Sequence, residues 1–244
     1  MKNKKRLDQF LVEKGFFEQR SRARAEVMAG KVMVDEKICD KPGTMVSDSS
    51  AIKILSPDNP YVSRGGMKLA GAAEDLPIDF NGKVVLDVGA STGGFTDFIL
   101  QNGASKVYSV DVGYGQLEWK LRQDPRVINM ERTNIRYLKP EDLPEVPDIA
   151  VVDVSFISLR KVLPVLIELG VQEIVALVKP QFEAGKEKVG KKGVVRDSSV
   201  HQEVLEEIIN FAAKLNLEAQ GTVPSRLKGP QGNTEFFVYW KKGG

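Results

Sequence analysis

The chain has 244 residues, 42% hydrophobic and 28% charged, an ordinary balance for a globular protein with room for one sizeable domain and a small one. No apolar run reaches the length of a bilayer span and no secretory core follows the basic start, so a cytoplasmic protein with no membrane partner is expected. A single cysteine, Cys39, excludes a disulfide framework and a cysteine-rich metal site, and no metal is expected; the lone histidine, His201, leaves proton chemistry to lysines and carboxylates.

The net charge of +2 is unevenly placed: from Met1 to Lys31, nine Lys/Arg stand against four acids, which leaves the remainder mildly acidic. Such a patch suggests a contact with a polyanion, although a merely solvated charged face would look the same. The segment opens with an apolar stripe at Leu7, Phe10, Leu11 and Val12 that ends near Gly15. Ser21 is a candidate N-cap for a second helix through Ala29. Val32-Met33-Val34, a turn at Asp35-Glu36-Lys37, and Ile38 then predict a hairpin, and 51–55 reads as a further strand. Ser56-Pro57-Asp58-Asn59-Pro60 is rich in breakers and marks a domain boundary, and Ser63-Arg64-Gly65-Gly66 precedes a helix from near Met67 to before Pro77.

From Val84 onward strands and helices alternate. Strand-like runs cover 84–88, 106–111, 127–130, 149–153, 174–179, 217–223 and 236–240; helical patterns fall at 95–101, 117–122, 159–169 and 204–215. This order predicts an α/β domain, a seven-stranded, mostly parallel, doubly wound Rossmann-like sheet. The last two strands are joined only by a polar, glycine- and proline-containing loop, so the final strand is expected to run antiparallel. His201 opens the last helical pattern and is expected at its surface or first turn. Between Gln181 and Asp197, glycines and basic residues predict a mobile loop or a disordered surface stretch.

The stretch Asp87-Val88-Gly89-Ala90-Ser91-Thr92-Gly93-Gly94-Phe95 links the first of these strands to a helix. A glycine-rich turn in that position forms a nucleotide-sized site. Its GxxxGG spacing differs from the GxGxxG that admits a pyrophosphate, and points to S-adenosylmethionine, which carries an adenosine and no phosphate. Asp111, ending the next strand, is placed to bind a ribose, with Val112 beside it; Thr133-Asn134 would face the adenine edge. The expected cofactor site is therefore Asp87, Gly89, Ser91, Thr92, Gly93, Gly94, Phe95, Asp111, Val112, Asn134 and Asp153. Asp153 and Lys179 each close an apolar strand, where side chains reach the crevice of an open α/β sheet. They could equally form a structural ion pair. Lys68 and Glu235, taken singly, read as surface charges.

Residues 6–55, through RLDQFLVEKG and SRARAEVMAGKVMVD, resemble the S-four-type RNA-binding module. The resemblance implies phosphate contacts from Arg6, Arg20, Arg22 and Lys31; Arg64, outside the module, is a further expected RNA contact. Lys68, Asp153, Lys179 and Glu235 resemble the catalytic tetrad of FtsJ-like ribose 2′-O-methyltransferases. SRGGMKL, DVGASTGGF, DVGYGQL, ERTN, DVSFISL, LVKPQFE and GNTEFFVYW together resemble the TlyA (hemolysin A) family of ribosomal RNA 2′-O-methyltransferases. That implies a class I methyltransferase fold, S-adenosylmethionine as donor, and a cytidine ribose of ribosomal RNA or of a ribosomal subunit as acceptor. Asn134 departs from the wider pattern, where an acid commonly faces the adenine; an amide can still bond that edge.

The organisation expected is an RNA-binding domain over 1–59, a linker over 60–66 and a methyltransferase domain over 67–244. In the chemistry this implies, Lys179, its pKa lowered by a neighbouring lysine and partial desolvation, orients or deprotonates the hydroxyl. Lys68 and Glu235 position it, and Asp153 steers the cationic donor. Competing readings are a base methyltransferase, an RNA-binding or assembly factor with a non-catalytic cofactor site, and a membrane-active protein, suggested only by the hemolysin name.

Overall fold

The computed structural model describes residues 4–17, 19–54, 59–190 and 193–244. Leu55, the linker residues 56–58, and Lys191 and Lys192 lie outside them. Two compact units divide the chain, 1–59 and 60–244.

In the first unit, β1 (Lys4–Arg6) leads into α1 (Leu7–Glu13), followed by α2 (Arg20–Met28). The apolar stripe works as its spacing suggests: Leu7, Phe10 and Leu11 pack with Ala23, Val27, Val32 and Val46 in one small core. α2 begins earlier than expected. Its first helical bond runs from Ala23 N–H to the Gln19 carbonyl, so Ser21 lies inside the helix and caps nothing. β2 (Val32–Val34) and β3 (Lys37–Cys39) pair antiparallel, and Asp35 and Glu36 at the turn both take positive φ, as a tight two-residue hairpin requires. β5 (Ile52–Ile54) pairs with the other edge of β2, while β1 pairs with β4 (Met45–Ser47).

The second unit opens with α3 (Arg64–Asp75), three residues ahead of the expected start and inside the stretch read as linker. Ser63 caps it by accepting a hydrogen bond from Gly65 N–H at 3.3 Å. Gly65-Gly66, expected just ahead of this helix, lies inside its first turn, and Gly66 serves a close approach: a Cβ there would overlap the Tyr61 ring. The sheet that follows comprises β6 (Val84–Val88), β7 (Lys106–Val110), β8 (Val127–Met130), β9 (Ile149–Val152), β10 (Glu173–Val178), β11 (Leu217–Pro224) and β12 (Phe236–Lys242). Their order is β11-β12-β10-β9-β6-β7-β8. The central strands run parallel, and β12 lies antiparallel to both β10 and β11, as the short loop before it implied.

Side chains alternate across this sheet with the strand period of two. Leu86, Val88, Tyr108, Val110, Ala150 and Val152 face one core, under α6 (Leu163–Glu168) and α8 (Ser198–Ala213). Val85, Val107, Ile149 and Val151 face the other, under α3, α4 (Gly94–Gln101) and α5 (Trp119–Arg122). Winding reverses at β6, whose neighbours β7 and β9 are reached in opposite directions. The carboxyl ends of β6, β7 and β9 therefore open a crevice.

His201 takes one of its two expected places, the first turn, and not the surface. It lies in the first turn of α8, but its ring is buried, with Nε2 3.0 Å from the Val195 carbonyl oxygen and its edge toward Phe236. It falls on the apolar stripe that continues through Val204 and Ile208, which takes it inward.

Candidate active site

A cleft of about 1070 Å³ opens at the carboxyl ends of β6, β7 and β9, and a smaller one of about 380 Å³ joins it, sharing Gly89, Ser91 and Asp153. The glycine turn forms the wall between them. Gly89 has φ +87, and a Cβ there would overlap the backbone carbonyl oxygen of Asp153, so this close approach of the β6 and β9 ends admits only glycine. Asp111 receives the Ser91 N–H at 2.8 Å and the Gly113 N–H at 2.7 Å on its two oxygens. A carboxylate has acceptor capacity beyond these two bonds. Asn134 accepts the Arg136 N–H on Oδ1 at 3.1 Å, which leaves its amide N–H groups as donors toward the cleft it lines.

The expected cofactor residues divide by position. Gly89, Ser91, Asp111, Val112, Asn134 and Asp153 line the large cleft; Thr92, Gly94 and Phe95 line the smaller one with Arg64 and Lys68. Two do not line either. Gly93, at φ +90, packs against Leu117 and Leu121. Asp87 is fully buried beneath the turn, receiving the Thr96 hydroxyl at 2.6 Å on one oxygen, while the other has no partner. Burial pushes its carboxyl up to about 7 against the pull of the Thr96 bond, with Asp153 adding to the rise. Asp87 braces the turn from below, and its expected place in a direct cofactor contact is not where the structure puts it.

Lys179, only 8% exposed, stands at the end of β10 with Nζ 2.6 Å from Asp153 Oδ1 and 3.0 Å from the Ser155 hydroxyl, to which it donates. The Asp153 contact is close but not aligned as a hydrogen bond, so it is an ion pair, and the Ser155 bond sets the direction of the ammonium. Lys68 Nζ donates to Glu235 Oε2 at 2.7 Å, and Gln181 Nε2 donates to Oε1 of the same fully buried carboxylate at 2.9 Å. The four charges expected together thus form two ion pairs. A lysine pressed directly against Lys179 is not what these contacts show, since each ammonium has a carboxylate as its close partner.

Four residues enter the site that sequence reasoning had not singled out. Ser155 and Gln181 hold members of the tetrad. Glu183, on the short α7 (Pro180–Glu183), accepts the Ser158 hydroxyl at 2.6 Å and the Leu159 N–H at 2.7 Å. It thereby ties the loop carrying Asp153 and Ser155 to the helix that follows Lys179; burial raises its carboxyl above the usual range. Phe156 is 90% exposed at φ +64, its ring 4.9 Å from Phe182 at the lip of the large cleft. Their only signal in the sequence was proximity: each lies within four residues of Asp153 or Lys179. In the basic stretch after Lys179, Val195 N–H donates to Asn233 Oδ1 at 3.1 Å and Gly190 bridges Val194.

Residues 61–242 match the FtsJ-like methyltransferase family and residues 5–52 match the S4 domain. The chain belongs to the FtsJ-like methyltransferase family. It is 50% identical over 239 residues to YqxC of Bacillus subtilis, covering 97% of this chain and 85% of that one. It is 44% identical over 242 residues to the 16S/23S rRNA (cytidine-2′-O)-methyltransferase TlyA of Mycobacterium tuberculosis, covering 98% and 90% respectively. A solved Streptococcus thermophilus structure bearing the hemolysin name superposes with a TM-score of 0.79 at 45% identity, over 100% of this chain and 90% of that one. Among the described residues, no helix of this FtsJ-like methyltransferase is long and apolar enough to cross a membrane.

Proposed function

We propose that the chain transfers a methyl group from S-adenosylmethionine to the ribose 2′-hydroxyl of a cytidine in ribosomal RNA, acting in the cytoplasm on the RNA or on a ribosomal subunit. The observation that carries this reading is the Lys179–Asp153 ion pair, with Ser155 directing the ammonium, at the edge of a cleft walled by the glycine turn.

The residues present fit the cofactor. Asp111 offers acceptors for ribose hydroxyls, Asn134 donors for an adenine ring nitrogen, and Val112, Ile135 and Val154 an apolar lining for the base. When bound, S-adenosylmethionine supplies an electrophilic methyl on a cationic sulfur. Asp153 lines both clefts, and its carboxylate attracts that positive charge toward the turn. Lys179 Nζ hydrogen-bonds the attacking oxygen, and its two fixed partners hold the oxygen in line, which is most of what such a transfer requires. As the O–C bond formed and the methyl–sulfur bond broke, leaving a neutral thioether, the hydroxyl proton would pass to the carboxylate of the Asp153–Lys179 pair. Lys68, Glu235 and Gln181 form the buried polar floor beside it, and Arg64, exposed in the smaller cleft, offers a cation to an RNA phosphate.

The basic N-terminal unit supplies the RNA preference. Its S4 match, the exposed Arg22 and the half-exposed Arg6 and Arg20 support a phosphate-binding face; Lys31 is partly engaged, ion-paired to Glu26 at 2.7 Å. Labelled methyl transfer to purified ribosomal subunits, followed by nuclease digestion, tests the proposal. Recovery of 2′-O-methylcytidine is expected, with Lys179→Ala lowering the rate at least about a hundredfold while RNA binding persists. A methylated base, or near-normal transfer by Lys179→Ala, would overturn it.

A further inference from the structure

In the N-terminal unit, a carboxylate sits where an RNA-binding surface would be expected to exclude one. Asp8, in the first turn of α1, is fully buried, yet both of its charged partners are half exposed: Arg6 at 44% and Arg20 at 48% of their side chains. Arg6 donates from Nε to Oδ1 at 3.1 Å and from Nη2 to Oδ2 at 3.0 Å. Arg20 donates from both Nε and Nη2 to Oδ2 at 3.1 Å. The backbone N–H of Gln9 closes the set at 3.0 Å on Oδ1.

Two features distinguish this cluster from an ordinary ion pair. The arginines come from separate elements, the end of β1 and the start of α2, and meet on a single oxygen, so their Nη2 atoms lie within about 6 Å of one another. Each guanidinium has five N–H groups and spends two on Asp8; the rest have no protein partner among the described residues. In addition, Arg6 lies over Gly43, where a Cβ would come within 3.2 Å of Nη1, so a side chain at that position would have to shift the guanidinium. A flexible arginine loses side-chain entropy when it grips a phosphate, and one already clamped in place has lost it beforehand.

We propose that Asp8 is a positioning residue that locks Arg6 and Arg20 into one composite site for a single RNA phosphate. The inference rests on the RNA-binding reading given above. The cluster carries two positive charges against one negative, so it stays net cationic with its outer N–H edges aligned for bidentate contact. The positioning role and simple electrostatics predict opposite signs. Deleting a negative charge from a basic face strengthens polyanion binding by Coulomb's law alone; releasing the two arginines weakens it.

The test is filter binding of the full chain to purified ribosomal RNA across a salt series. Asp8→Asn is expected to bind about tenfold more weakly at moderate salt, the scale of one charge-assisted contact. In an Arg6→Ala/Arg20→Ala background, the same Asp8→Asn change is expected to have no further effect, which a merely structural role would not produce. The arginine double variant itself is expected to lower the slope of log K against log salt by about 0.9, one phosphate, rather than by twice that. Should Asp8→Asn fail to fold, Gly43→Val displaces the Arg6 guanidinium without touching the carboxylate; it is expected to weaken binding in the parent chain and not in Arg6→Ala. Unchanged or tighter binding by Asp8→Asn, or an undiminished effect in the arginine-free background, overturns the role of Asp8. Absence of binding by the unaltered chain overturns instead the RNA reading on which it rests.

Discussion

Replacing Asp87 by asparagine should change how the stability of the methyltransferase unit depends on pH. The carboxyl is fully buried, one oxygen has no partner, and burial holds it near 7 instead of 3.8. Well below pH 3.8 the group is protonated in folded and unfolded chains alike, and the fold loses nothing. As pH rises toward 7 the unfolded chain releases the proton while the folded chain keeps it, so stability falls throughout that window and levels off above 7. A gap of about three pH units, at about 1.4 kcal/mol each, makes the full loss roughly 4 kcal/mol as an upper figure. Asp87→Asn lacks this term. It should be equal to the parent or about 1–2 kcal/mol weaker at pH 4, where its amide leaves a donor unpaired, and overtake the parent by pH 8. Urea unfolding of the ligand-free chain, followed through the fully buried Trp240, measures the difference at each pH. Parallel stability curves for parent and variant between pH 4 and 8 would show that the buried carboxyl is already ionised, and the argument would fail.

Three further outcomes follow from the site. Gly89→Ala places a Cβ on the Asp153 carbonyl in a left-handed backbone conformation, and should cost at least about 3 kcal/mol in urea unfolding together with most methyl transfer; a variant within 1 kcal/mol of the parent would contradict the packing described. Phe156→Ala removes an exposed ring at the cleft lip and should lower turnover on ribosomal RNA about tenfold while leaving S-adenosylmethionine affinity by calorimetry unchanged, the scale of one lost base–aromatic stack; equal loss of cofactor affinity would place the ring in the wrong subsite. Glu183→Ala frees Ser158 and the Leu159 N–H, and should cost about 1–3 kcal/mol and reduce kcat more than KM, with Glu183→Gln restoring most of both; a pure KM effect would remove it from the positioning of the Asp153 loop.

The sheet was legible because its signals are local and reinforce one another. Strand runs such as Val84–Val88 carry apolar residues on both faces, as a strand buried between two helical layers must, and the loop before β12 is too short for a crossover helix. The misplacements have equally local causes. Ser21 has the chemistry of an N-cap, but the helix starts where its first backbone bond forms, at Gln19. Gly65-Gly66 has the composition of a breaker, but a helix tolerates glycine when close packing, here on Tyr61, more than offsets the lost propensity. His201 is polar by type and buried by phase, because position along a helix decides which way a side chain faces.

The candidate site shows a different limit. Residue types named the four charges, but the pairing that determines their chemistry depends on strand order. Lys68 and Glu235 are 167 positions apart and meet only because β12 inserts beside β10, while Asp153 and Lys179 meet because β9 and β10 are parallel neighbours in register from Glu173↔Ile149 to Ala176↔Val152. The family resemblance puts Lys68 and Lys179 in one site, which invites the idea of mutual repulsion. The fold gives each lysine its own carboxylate, and so neutralises the floor of the cleft before any ligand arrives. The burial of Lys179 and Glu235 is sustainable for the same reason, since either charge left alone at that depth would cost several kcal/mol.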